Sequence, residues 1–103
     1  MPQLAVYRNP RPRSAEHAPF LLEVQADLVP TQLCVVVPLV HPDYFGPPAK
    51  TLNPLVTVQG GRYVVSPVEI GSLPRSQLGA PLADLRAARP EILAALDFVL
   101  HGF

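Results

Sequence analysis

The chain has 103 residues, eight basic and eight acidic side chains, and a single cysteine, Cys34. The length indicates that residues 1–103 form a single domain. The lone cysteine excludes an internal disulfide. Because the charges balance, the chain as a whole does not attract nucleic acid electrostatically. We therefore expect no direct sequence-specific binding of nucleic acid. Charged residues are only 16% of the chain against 49% hydrophobic residues, so part of the apolar surface should be covered by a partner or a second copy.

The N-terminus has no signal-peptide pattern, and no apolar stretch approaches the ~20 residues that cross a bilayer. A cytoplasmic protein without a membrane partner is the expectation. Cys34 lies in the apolar run "QLCVVVPLV" and should be a small buried side chain rather than a reactive thiol. This use of cysteine fits a reducing compartment.

Three strands are predicted in the first part of the chain. Residues 3–8, "QLAVYR", alternate in polarity, and residues 20–29, "FLLEVQADLV", read as a second strand. Between them, residues 9–19 contain three prolines and should lack regular structure. Residues 33–40, "LCVVVPLV", are continuously apolar, which indicates a strand buried on both faces. Pro38 within that run indicates a bulge or an exposed edge.

The second part of the chain predicts a hairpin between two loops. Residues 41–51 are rich in proline and glycine, as expected of a loop. In residues 53–70, two β-rich runs flank Gly60-Gly61, a pair suited to a tight primed turn. Residues 72–81 are expected to return to a loop, in which Leu73 and Leu78 are candidates for pairing or packing.

From Asp84 the period of the sequence becomes that of a helix. Pro90 suits its first turn, apolar side chains then recur at spacings of three and four residues, and Gly102 ends it. The apolar stripe consists of Ile92, Leu96, Val99 and Phe103, widened by Leu93 and Leu100. Strands first and one helix last predict an α+β, mainly β, domain with an antiparallel sheet.

No sequence motif for catalysis, metal binding or a cofactor stands out. The chain lacks a glycine-rich phosphate loop, a CxxC pair and an HExxH motif, and its three histidines are far apart. The nearest candidate set for a nuclease is Arg8, Arg11, Arg13 and His17, which lacks a clear acid or base partner. The residues alone therefore favour a binding module without a cofactor over an enzyme.

The order of the segments "LLEVQADLVPT", "VVVPLV", "LNPLVTVQGGRYVVSP" and "IGSLPRSQLGAPLADLRA", followed by a helix finishing in "FVLHGF", resembles the CcdB family of bacterial toxins. The resemblance runs from about Val6 to Phe103, with one apparent insertion in residues 9–19. It implies an SH3-like barrel close to that of the MazF and PemK toxins. The expected CcdB-type fold has a five-stranded antiparallel sheet, a small three-stranded wing and a C-terminal helix.

The resemblance also implies a function. CcdB-like proteins are homodimeric, non-enzymatic toxins that bind the A subunit of DNA gyrase while the DNA is cut and trap the break. A cognate CcdA-like antitoxin neutralises them as its disordered C-terminal segment folds onto the toxin. Two alternatives stay open at this point: a MazF-like ribonuclease toxin on the related fold, and a non-toxic family member that only binds an antitoxin.

The family's gyrase contact runs through its last three residues, typically Trp-Gly-Ile, which correspond here to His101, Gly102 and Phe103. Histidine offers a smaller stacking face than tryptophan to an arginine of the target. The remaining gyrase-binding positions implied by the resemblance are Gln3, Leu4, Tyr7, Ala26, Leu28 and Asp97. Three of them differ from the family residue: leucine replaces phenylalanine at position 4, alanine replaces serine at 26, and aspartate replaces asparagine at 97.

Overall fold

The computed structural model of the protein describes residues 3–27 and 31–102. Within these residues the chain forms seven β-strands and three α-helices. The strands are β1 (Ala5–Arg8), β2 (Phe20–Glu23), β3 (Leu33–Val40), β4 (Leu55–Val58), β5 (Gly61–Val65), β6 (Gly71–Pro74) and β7 (Ala83–Asp84). The helices are α1 (Pro12–Ala15), α2 (Pro42–Phe45) and α3 (Arg89–His101), and 3-10 turns cover Pro67–Glu69, Arg75–Gln77 and Arg86–Ala88.

The strands pair antiparallel in two groups that share β3. Five strands lie in the order β6-β3-β2-β1-β7. The β4-β5 hairpin joins the other end of β3 through Leu39 and Val40, which makes a smaller three-stranded wing. The whole sheet is nearly closed into a barrel and is followed by α3. The predicted fold class, mainly β with a C-terminal helix, is confirmed.

Pro38 lies within β3 without a bulge or an exposed edge. Its pairing with Leu21 belongs to a register with β2 that continues unbroken from Val36 to Leu39. On its other side, β3 pairs with β6 before this residue and with β5 after it. The Pro38 carbonyl accepts the N–H of Ser66 at 3.1 Å. The prediction of a bulge or edge is therefore wrong, because the missing N–H falls where the strand changes its neighbour.

Two prolines begin short helices inside the segments predicted to be loops. Pro12 and Pro42 occupy the first turns of α1 and α2, where a residue without an N–H loses no intrahelical hydrogen bond. The prediction that residues 9–19 lack regular structure is therefore wrong. At α2, Nδ1 of His41 accepts the backbone N–H of Asp43 at 3.2 Å, so this histidine serves as a helix cap.

Two predicted strands are shorter than expected, and one predicted loop contains a strand. β1 begins after Leu4 because the φ of that residue is +69°, outside the extended region. β2 ends at Glu23, and residues 28–30 of the predicted strand lie outside the described part of the chain. β6 occupies part of the loop predicted for residues 72–81, since its pairing with β3 depends on residues distant in sequence.

The β4-β5 hairpin is confirmed, with its turn one residue earlier than predicted. Gln59 and Gly60 form the turn with φ values of 51° and 84°, and Gly61 belongs to β5. Positive φ at both central residues is what a type I′ turn requires. The glycine takes this conformation without steric cost, whereas the glutamine does not.

Helix α3 begins at Arg89, with Pro90 in its first turn as predicted. Residues 83–84, where the helical period of the sequence begins, pair with β1 as β7 instead. The buried stripe of α3 is narrower than predicted. Ile92 and Ala95 are fully buried, whereas Leu100 is 68% exposed. The helix therefore keeps apolar side chains on a surface that the single chain does not cover.

The central strands carry apolar side chains on both faces. The inner core, packed against α3, contains Leu4, Val6, Leu22, Val37, Leu39, Val56, Val58, Val65, Leu85 and Ile92. The outer core contains Leu21, Cys34, Val36 and Leu73, with Leu78 packed against it. Since neighbours along a strand point to opposite faces, β2 and β3 supply residues to both cores. Cys34 is fully buried, as predicted.

Candidate binding surfaces

The C-terminal end of α3 brings together three of the predicted gyrase-contact residues. His101 is the last helical residue, and Asp97, four residues earlier, lies on the same side of the helix. Both are exposed. Gly102 follows with a φ of +80°, and its N–H donates to the carbonyl of Phe98 at 2.8 Å, which is a left-handed helix ending. Phe103 lies outside the described residues.

Gln3 lies at the opposite end of the helix. Its Oε1 accepts a hydrogen bond from Nη1 of Arg89, the first residue of α3, and its Nε2 donates to the carbonyl of Val24 at 3.1 Å. The backbone N–H of Gln3 donates to Asp27, next to the exposed Ala26. The helix has 13 residues, so its two ends lie about 18 Å apart at 1.5 Å per residue.

Two other predicted contacts are buried. Leu4 belongs to the inner core, Tyr7 packs on the outer face of β1, and neither has an exposed side chain. Leu28 lies outside the described residues. The exposed members of the predicted set therefore form two separate groups, one at each end of α3, and the structure does not bring them into one patch within a single chain.

Exposed apolar side chains lie beside the end of α3. Phe98 and Leu100 of the helix are 39% and 68% exposed, and Val68 and Ile70 are 64% and 42% exposed. The 3-10 turn that contains Val68 packs against α3. We call these four residues the apolar face. Phe98 and Leu100 are two positions apart in the helix and point to different sides of it, and each of the four is a large exposed apolar side chain of the kind that association can cover.

A cleft of about 490 Å³ opens on the outer face of the sheet. Its floor consists of Leu21, Val36, Pro38 and Val40, which all point away from the inner core. Its walls come from three segments and contain Asn9, Arg11, Ser14, His17 and Ala18, then Tyr44 and Phe45, then Glu69, Gly71, Ser72 and Leu73. An apolar floor under a polar rim is the usual form of a binding site. We call it the outer cleft.

The first two walls of the outer cleft are tied to each other. The N–H of His41 donates to the carbonyl of His17 at 2.7 Å. The rings of His17 and Tyr44 meet edge to face with centroids 4.4 Å apart. Within the first wall, Nδ2 of Asn9 donates to the carbonyl of Ala18 at 2.8 Å. These contacts hold the proline-rich segments in place around the cleft.

Opposite charges face the outer cleft from different walls. Arg11 and His17 lie on the wall formed by residues 9–19, and Glu69 lies on the wall that leads into β6. The carboxylate of Glu69 also accepts the hydroxyl of Ser66 at 2.7 Å. Sequence analysis identified Arg11 and His17 but missed Glu69, because it comes from a distant segment and no local pattern marks it.

A buried polar cluster on the outer face was also missed by sequence analysis. Nη1 and Nη2 of Arg75 donate to the two carboxylate oxygens of Glu23 at 3.3 and 3.0 Å, and the hydroxyl of Tyr7 donates to Oε1 of Glu23 at 3.1 Å. Burial, reinforced by the Glu23 carboxylate, raises the pKa of Tyr7 to about 12. Burial likewise raises the pKa of the Cys34 thiol. The thiol is therefore held in its protonated, unreactive form.

Residues 3–27 and 31–102 contain no group of three or more His, Cys, Asp or Glu side chains that could hold a metal ion. None of its helices combines the length and the hydrophobicity needed to cross a membrane.

Comparison with known proteins places the chain in a family. The model of the CcdB protein family matches residues 3–102, almost the whole of the 103-residue chain. No curated protein sequence matches the chain at a significant level. The match covers the sheet, the outer cleft, the apolar face and α3 alike, so the chain belongs to the CcdB family of toxin–antitoxin toxins.

Proposed function

We propose that this toxin binds the A subunit of DNA gyrase, traps the cleaved DNA complex, and is neutralised by a cognate CcdA-like antitoxin. The family match over residues 3–102 supports the proposal. The observation that carries it is the end of α3, where Asp97 and His101 are exposed and Gly102 turns the chain out of the helix. A Cβ at Gly102 would meet no atom within 4 Å, so this end is open to a partner.

The gyrase contact is formed by Asp97, His101, Gly102 and Phe103. The chemistry at this end suits a protein surface, because it offers a ring, a carboxylate and main-chain groups rather than a cavity. Gln3 and Ala26 lie at the other end of the helix, so in a homodimer they contact gyrase from a second position. Leu4 and Tyr7 act from within the fold by supporting the sheet.

The apolar face supports the proposed homodimer. Phe98 and Leu100 lie between Asp97 and His101 in the sequence of α3, so an interface that covers either of them lies beside the contact surface. A two-fold contact places the same patch on both copies, which would cover Val68, Ile70, Phe98 and Leu100 in each. The low charge content of the chain agrees with a covered surface of this kind.

The outer cleft supports a separate site for the antitoxin. An extended peptide would seat an apolar side chain on its floor, an acidic group against Arg11 and His17, and a donor against Glu69. Disordered segments that fold on binding use extended surfaces of this type. On this proposal the cleft binds the antitoxin and the end of α3 binds gyrase.

Inducing the protein in cells that lack the antitoxin tests the proposal. Growth arrest with accumulation of double-strand DNA breaks supports gyrase poisoning. A variant that lacks residues 101–103 should then restore growth while remaining folded. Normal growth with the native chain would instead favour the family member that only binds an antitoxin.

A ribonuclease toxin is the second candidate, and one observation favours it. Arg11 and His17 lie in the same cleft as Glu69, which supplies the acidic partner that the sequence set lacked. A cation and a general base in one cleft are the minimum for cleaving RNA. RNA loss on induction, abolished by both His17→Ala and Glu69→Gln, would establish this activity, and DNA breaks without RNA loss would exclude it.

A further inference from the structure

One segment of the outer face is attached to the rest of the fold mainly through a single strand, β3. This segment, the outer flap, covers residues 71–78 and contains β6 and the following 3-10 turn. Among the described residues, β6 pairs with β3 alone, so it is an edge strand. Leu73 is one of the four buried residues of the outer core and Leu78 packs against them, whereas the inner core has ten. A small apolar contact area favours opening of the segment by itself.

The main polar contact of the flap is an ion pair between a buried carboxylate and a partly exposed guanidinium. Arg75 lies on the flap, and its guanidinium holds both carboxylate oxygens of Glu23, which lies on β2. The side chain of Glu23 is only 2% exposed. A buried carboxylate that loses its cation is left uncompensated, which is far more costly than the loss of a surface pair. Arg75 of the flap therefore supplies the positive charge that balances the Glu23 carboxylate of the central sheet.

The flap also covers the single cysteine. Cys34 on β3 is paired in register with Leu73 on β6. Opening of the flap would expose Cys34 without unfolding the inner core, because the two cores lie on opposite faces of the sheet. Gly71, Ser72 and Leu73 also line the outer cleft. The closed flap therefore completes one wall of that cleft.

We propose that residues 71–78 open as a local unit, that the Glu23–Arg75 pair is the latch of the closed state, and that this opening controls both access to Cys34 and the shape of the outer cleft. Locking the flap removes freedom from one wall of the cleft. A ligand that requires the closed wall would draw the equilibrium toward it, since a ligand shifts a conformational equilibrium by its preference for one state.

Labelling of Cys34 with 5,5′-dithiobis(2-nitrobenzoic acid) in the native full chain tests the proposal. The thiol should react at least about 100 times more slowly than in the urea-unfolded chain, and its rate should rise with urea much less steeply than global unfolding, because local opening exposes little surface. Arg75→Met should speed labelling at least about tenfold by removing the cation from the buried carboxylate. Arg86→Met breaks the exposed pair with Asp84 and should leave the rate within about twofold.

Leu78→Ala provides an independent variant, because it weakens the apolar contact of the flap and keeps the ion pair. It should speed labelling about fivefold or more through the lost burial. Two results would overturn the proposal: a native labelling rate with the urea dependence of global unfolding, or an unchanged rate in both Arg75→Met and Leu78→Ala. Should Arg75→Met fail to fold, the urea dependence of the native chain and the rate in Leu78→Ala decide the question.

Discussion

The two faces of the central sheet are built on different principles. The inner face, against α3, holds ten buried apolar residues. The outer face holds a smaller cluster of four, together with the polar cluster around the buried Glu23 carboxylate and an open cleft. Continuous apolar packing fixes the fold on the inner side, whereas the outer side carries the proposed antitoxin site and the segment proposed to open locally. The same strands, β2 and β3, serve both purposes because their side chains alternate.

Substitution of two adjacent leucines of β2 tests the difference between the two faces most directly. Leu22 points into the inner core and Leu21 into the outer core, where it also lines the cleft. Leu22→Ala should lower the free energy of unfolding by about 3–4 kcal/mol, because it leaves a cavity in a closed core. Leu21→Ala should cost only about 2 kcal/mol, since the space joins a cleft already open to water. Urea unfolding of both variants measures the difference, and equal losses would contradict it.

The helix side of the molecule should also carry the dimer contact. Leu100→Asp would place a charge on each copy at a two-fold interface built from the apolar face, without disturbing a core, because this residue is 68% exposed. We expect the dimer to weaken at least about a hundredfold, or about 2.7 kcal/mol. Light scattering over a concentration series measures the dimer, with the exposed Asp97→Asn as control. A native mass near one chain at micromolar concentration would contradict the homodimer.

Alkaline pH should weaken the outer face selectively. The fold raises the pKa of Tyr7 from 10.0 to about 12, so above pH 10 the native state holds this proton more firmly than the unfolded chain. Its stabilising effect is present below pH 10 and is lost as the pH rises toward 12, a loss on the order of 2–3 kcal/mol. Urea unfolding between pH 9 and 11.5 measures it. Tyr7→Phe should remove this part of the dependence and leave the contribution of Cys34, whose pKa is raised in the same sense.

Much of the inner face could be predicted from sequence, because its determinants are local. The continuous apolar run of β3, the turn glycine at position 60 and the spacing of Ile92 within α3 each carry a periodic or conformational signal. β6 escaped prediction because it exists only through its pairing with β3. Leu100 was misplaced because an apolar residue at helical spacing looks the same whether the chain's own core or a second chain covers it.

The outer face was less predictable for a physical reason. Arg75 and Glu23 are 52 positions apart, and nothing near either residue indicates that they meet. The same holds for Arg11 and Glu69 across the outer cleft. Charged side chains are normally solvated, so sequence patterns assign them to the surface. The proposed gyrase contact was identified through the family resemblance, and it stays a prediction for Leu28 and Phe103, which lie outside the described residues.

Replacement of His101 tests whether the end of α3 contacts gyrase. A larger ring at the end of α3 offers a better stacking face to an arginine of gyrase, so His101→Trp should strengthen binding by about 0.5–2 kcal/mol. Titration of the native chain and the variant against the gyrase A subunit measures this. His41→Trp is not a suitable control because His41 caps α2. Exposed Leu55 on β4 lies beside Glu91 and Ala94, in the first half of α3 rather than at its end, so Leu55→Trp should not reproduce a gain that comes from stacking at position 101.

The smallest effect is expected on antitoxin binding when the end of α3 is removed. If the antitoxin seats in the outer cleft, its affinity depends on Arg11, Glu69 and the floor of the cleft rather than on the end of α3. Deleting residues 101–103 should then change antitoxin binding by less than about tenfold, or 1.4 kcal/mol, while it abolishes gyrase binding. Arg11→Glu should produce the reverse pattern, since it reverses a charge on the cleft wall and leaves the helix end intact. Calorimetric titration of both variants with the antitoxin encoded beside the gene, and of both with the gyrase A subunit, gives the four affinities.

Loss of binding to both partners in a folded deletion variant would show that the chain end contacts gyrase and antitoxin alike. The proposal that the outer cleft binds the antitoxin and the end of α3 binds gyrase would then be wrong.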